Sequence, residues 1–70
     1  MNTVEQTETV WVVEFFTSMP LSVLDYRIFA NQEDAEYFVK CKDTLERLNQ
    51  FPELKIRIIQ DEIITGYKEE

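Results

Sequence analysis

The chain has 70 residues, with 14 acidic and 7 basic side chains, no histidine, one cysteine and one glycine. That inventory excludes an internal disulfide, a structural zinc site, Ser-His-Asp and Cys-His catalysis, and any glycine-rich phosphate loop. A net charge of −7 sets the chain against nucleic-acid phosphates and anionic lipid and turns it toward basic protein surfaces.

The length fits one domain. Hydrophobic residues at 44% and aromatics at 13% are enough for a packed interior rather than a disordered chain. A core this small barely offsets the entropy of ordering it, so self-association, most simply as a dimer, is expected to help.

Residues 1–8 are polar and aperiodic. They lack the basic and apolar regions of a secretory leader and read as a flexible N-terminal segment before a domain at 9–67. No apolar run is long enough to cross a bilayer, so no membrane role is expected. A lone thiol fits the cytoplasm of the producing or host cell.

Residues 9–17 are β-branched and aromatic and read as a first strand. Pro20 punctuates, and residues 24–30 form a second strand. Asn31 is a helix N-cap, with Asp34 three residues on as a variant of the capping box. The predicted helix runs to about Asn49, because Pro52 disfavours helical geometry at Phe51. Its apolar stripe is Phe38, Cys41, Leu45 and Leu48, flanked by Ala35 and Tyr37. Cys41 on that stripe reads as a small core residue. Glu36 with Lys40 and Asp43 with Arg47 are expected as i,i+4 pairs.

Residues 53–59 alternate apolar and polar and read as a third strand. Residues 60–65 either continue it past a bulge or form a fourth short strand; continuation is favoured. Residues 68–70 read as a tail.

The expected fold is α+β: a β-β-α-β order, an antiparallel-type sheet of three or four strands in the order 2-1-3, and one helix on one face. Alternation sorts the strands into two sets. Trp11, Val13, Phe15, Tyr26, Ile28, Leu54, Ile56 and Ile58 are almost purely apolar and should meet the helix. Val10, Val12, Glu14, Phe16, Asp25, Arg27, Phe29, Lys55, Arg57 and Ile59 should lie on the open face, with Glu14 and Arg27 as a cross-strand pair. Apolar and aromatic groups mixed with arginine are the composition of a binding patch. The expected protein-binding site is therefore Val10, Val12, Glu14, Phe16, Arg27, Phe29, Lys55, Arg57 and Ile59. Glu36, Val39, Asp43 and Glu46 on the outer helix side form a second, acidic surface.

No catalytic residue, metal ligand or cofactor site is expected. Three cations on the sheet make too thin a footprint for direct nucleic-acid binding. In size, acidity and β-β-α-β layout the whole chain resembles the small acidic proteins encoded by bacteriophages and mobile elements. The likeness carries no motif and transfers no residue. It implies a non-enzymatic inhibitor or sequestering factor, of anti-host or anti-defence type, that contacts a larger host or defence protein with a basic, nucleic-acid-binding type of surface. Two other readings are an acidic nucleic-acid mimic that occupies the channel of a nuclease or polymerase, and a small homodimeric ligand-sensing domain.

Overall fold

A computed structural model describes residues 3–69. Strands β1 (Thr3–Ser18), β2 (Leu21–Phe29) and β3 (Lys55–Glu69) form one antiparallel sheet in the order β2-β1-β3. Two helices, α1 (Gln32–Lys40) and α2 (Lys42–Gln50), connect β2 to β3. The expected α+β class and strand order are observed, with two helices in place of one.

The strands are longer than their apolar runs. Thr3 to Glu8, expected to be flexible, pair with β3 from Glu69 to Ile63. Residues 60–65 continue β3 without a break, and the irregularity falls at Thr65, skipped between the pairs Gln6–Gly66 and Thr7–Ile64. Lys68 and Glu69, read as tail, pair with Val4 and Thr3. Backbone pairing thus carries the strands through polar sequence that shows no burial pattern. Met1, Asn2 and Glu70, at the ends of the expected flexible segment and tail, lie outside the described residues.

β1 and β2 are joined by Met19–Pro20, with a cis peptide bond between them. Pairing begins at Ser18–Leu21 and continues to Phe16–Val23. Leu24 is then skipped, and Phe15 pairs with Asp25. This one-residue bulge decides which side of β2 faces the helices. An unbroken hairpin would set Glu14 opposite Asp25, and directly opposed like charges destabilise a sheet.

α1 is capped as expected: the Asp34 N–H donates to Asn31 Oδ1 at 2.9 Å. Asn31 Nδ2 in turn donates to Asp34 Oδ2 at 3.0 Å. The helix stops at Cys41, whose ψ of 156° is extended. In a continuous helix the Phe38 carbonyl would accept from Lys42. Here it accepts from the Cys41 N–H at 3.3 Å and from Thr44 Oγ1 at 2.6 Å. The threonine hydroxyl competes with the backbone, and the helix divides there.

The break re-aims α2. Thr44 is buried and Arg47 reaches the sheet, whereas Leu45 is 53% exposed. The expected single stripe is therefore broken: Phe38, Cys41 and Leu48 are half-buried, so Cys41 is not a core residue, and Leu45 turns to the surface. Phe38 packs edge-on against Phe15, with ring centroids 6.1 Å apart, and tilted against Phe29 at 5.4 Å. Ala35, Val13 and Phe15 are sealed between α1 and the sheet. The Cα radius of gyration is 15.8 Å, against about 11 Å for a compact chain of this length. The excess lies in the outer ends of β1 and β3, which run past β2 as a two-stranded arm.

Candidate protein-binding face

Directly opposed residues of an antiparallel pair project to the same side. The helix side carries Phe29, Trp11 and Gln60 in one row, Arg27, Val13 and Ile58 in the next, and Asp25, Phe15 and Ile56 in the third. The other side carries Ile28, Val12 and Ile59; then Tyr26, Glu14 and Arg57; then Val23, Phe16 and Lys55. Among the described residues neither helix lies over this second grid.

Six of the expected binding residues meet here: Val12, Glu14, Phe16, Lys55, Arg57 and Ile59. Three do not. Arg27 and Phe29 project to the helix side, because the bulge at Leu24 shifts the outer part of β2 by one residue; Phe29 is spent on Phe38. Val10 has the parity of the grid but is only 4% exposed within one copy, so it presents nothing to a partner. Asp25 likewise moves to the helix side. In exchange the grid gains Tyr26, Ile28 and Val23, which are 58%, 52% and 44% exposed. The signal that finds them in the sequence is the Glu14–Asp25 clash of the regular hairpin.

The charges on the grid are ordered by contact. Arg57 Nε donates to Glu14 Oε1 at 2.7 Å, and the Arg57 guanidinium carbon sits 4.4 Å above the Phe16 ring. Glu14 thus pairs with β3 rather than with Arg27. The arrangement leaves an aliphatic row at one end, a central row in which Glu14 and Arg57 are paired beside an exposed Tyr26, and Lys55 at the far corner.

On the helix side, Arg47 Nη1 meets Asp25 Oδ2 at 3.1 Å, and its guanidinium carbon lies 4.2 Å over the Phe15 ring. The expected Asp43–Arg47 pair is replaced by this link across the fold. The Arg47 hydrogen bond, followed by the Tyr26 N–H, holds the Asp25 carboxyl below its ordinary value of 3.8. The Thr44 hydroxyl, 3.2 Å from Cys41 Sγ, and then the Thr44 backbone N–H hold that thiol below its ordinary value of 9.0.

The second expected surface is partly altered. Glu36, Asp43 and Glu46 are exposed, but Val39 is half-buried. Glu36 accepts from Gln32 Nε2 at 3.4 Å, and Glu46 lies 3.9 Å from Lys42. Beside α2, an open depression of about 690 Å³ is lined by Lys40, Lys42, Leu45, Glu46, Leu48 and Asn49. A narrower cleft of about 170 Å³ lies between Thr17, Leu24, Arg47, Phe51, Glu53 and Leu54. No group of three or more metal-ligating side chains occurs among the described residues, and no helix there is long and apolar enough to cross a membrane.

Comparison with protein-family models, with curated proteins and with solved structures gave no match.

Proposed function

We propose that this chain is a non-enzymatic protein-binding module that docks a larger protein on the helix-free face of its sheet. The observation that carries the reading is the exposed grid itself. Its aliphatic row, Ile28-Val12-Ile59, adjoins the exposed Tyr26 and Arg57, the arginine already held by Glu14 and Phe16. Tyrosine and arginine beside an apolar centre are the groups that carry binding energy at interfaces. Pre-ordering Arg57 lowers the entropy lost when a partner arrives.

The non-enzymatic part of the reading draws on the absence of histidine and on the single thiol, Cys41, which is half-buried at the helix junction. The acid groups elsewhere favour a partner with basic ground around its apolar patch. Inhibition or sequestration is the mode that suits a module without catalytic groups. The nucleic-acid mimic is the weaker reading. Glu8 and Asp61 project to one side of the arm and Glu5 and Glu62 to the other, so the carboxylates form no single row.

The test is affinity capture from a host lysate with the native chain and with the double variant Tyr26→Ser/Ile28→Asp. Both positions are exposed, so the circular dichroism spectrum should be retained. A protein captured by the native chain and lost with the variant supports the reading. Capture unaffected by the variant contradicts it.

A further inference from the structure

The two-stranded arm is the part of the molecule that its own chain leaves unfinished. β2 pairs with β1 only from Trp11 onward, so among the described residues no strand lies beside the other edge of β1 over residues 3–9, and every residue there is exposed. A two-stranded ribbon is marginal in water, and three or more strands are needed for independent stability. This ribbon also exposes Val4, Ile64 and Tyr67 at 41%, 51% and 65%.

We propose that this edge pairs antiparallel with the same edge of a second copy, giving the order β3-β1-β1-β3 across the joined arms, with β2 of each copy further along the same edge of its own β1 and residue 6 of one copy opposite residue 6 of the other. Symmetry and charge select that register. A two-fold axis relating two antiparallel edge strands stands perpendicular to the sheet and keeps the faces matched. Paired residues must then have the same parity, and the axis must pass through a residue position. Centred on position 5 or 8, the pairing sets Glu5 or Glu8 against its own copy, which is repulsive. Centred on Gln6, it engages all of residues 3–9: Thr3 faces Thr9, Val4 faces Glu8, Glu5 faces Thr7, and no carboxylate opposes another. Centred on Thr7, it needs the covered Val10 to reach the same length. Four strands then replace two along the arm. A second copy is the occupant because the edge, TVEQTET, is complementary to its own reversal in this register. The inference does not rest on the binding face, which is a different surface; either can fail alone.

Val4 provides a test that separates pairing from folding. Within one copy Val4 lies opposite Lys68, whereas across the proposed interface it lies opposite Glu8 of the second copy. Val4→Glu therefore gains an ion pair inside the chain and meets repulsion between copies; Val4→Lys does the reverse. Sedimentation equilibrium should show a dimer for the native chain. Two symmetric contacts shift its dissociation constant about 2- to 30-fold, weaker for Val4→Glu and tighter for Val4→Lys. The melting temperature of the Val4→Glu monomer should be unimpaired. Because both copies are acidic, the native dimer should also tighten as salt rises from about 0.01 M to about 0.15 M. In a Cys41→Ser background, Gln6→Cys should oxidise to a disulfide dimer and Thr7→Cys should not. A native chain that stays monomeric across the salt series overturns the proposal and assigns the edge to a foreign strand. So does a Val4→Glu dimer as tight as the Val4→Lys dimer, or preferential cross-linking at Thr7→Cys.

Discussion

Arg47 ties α2 to the rest of the molecule through two contacts, a stacked guanidinium over Phe15 and an ion pair with Asp25. Both partners of the ion pair are more than a third exposed, so the pair alone is modest. Because folding lowers the Asp25 pKa, its contribution is present above the unfolded value of 3.8 and is lost as pH falls through the folded value. Thermal unfolding of the native chain should therefore lose stability below about pH 4 relative to Asp25→Asn. Parallel curves for the two proteins through that range would remove the pair from the account. Phe15, 1% exposed and in contact with both Phe38 and Arg47, is the costliest single truncation. Phe15→Ala should cost about 3–5 kcal/mol in chemical denaturation, enough to unfold much of a domain this small.

The helix break and the β2 bulge set the geometry at the scale of elements. Thr44 holds the break by donating to the Phe38 carbonyl, and Thr44→Val leaves that carbonyl short of a partner. The expected cost is about 1–3 kcal/mol. The same substitution removes the hydroxyl beside Cys41, so the pH profile for alkylation of this thiol should move upward. An unchanged profile would show that the backbone N–H groups alone set it. The bulge explains what was legible beforehand. β1 and β3 were sorted correctly because their alternation, Trp11-Val13-Phe15 and Ile56-Ile58, runs unbroken through the sheet. β2 was not, because one skipped residue reverses every side chain beyond it, and alternation in Asp25-Tyr26-Arg27-Ile28-Phe29 reads equally well either way round. The break at Cys41 was hidden for a related reason: no proline or glycine marks it, and a threonine hydroxyl within an amphipathic pattern leaves the period intact.

The whole molecule is a thin, elongated plate measuring 54 × 27 × 12 Å. Its helices cover one broad face only at the three-stranded end. That leaves two unfinished boundaries, the grid and the arm edge. The arm was illegible in the sequence because residues 3–8 show neither apolar alternation nor turn signals; what orders them is the ladder to β3, a non-local partner. The grid was legible in its centre, Val12, Glu14, Phe16, Arg57 and Ile59, and misread along β2. Its functional weight rests on Tyr26 facing away from the helices, and another tyrosine supplies the control. Tyr26 is 58% exposed on the grid, and Tyr37 is 77% exposed on α1. Each can be replaced in turn by the photo-reactive p-benzoylphenylalanine, which preserves an aromatic side chain at either position. Irradiation in host lysate should yield a covalent adduct with a partner protein from position 26 and none from position 37; an adduct from position 37 alone would contradict the account.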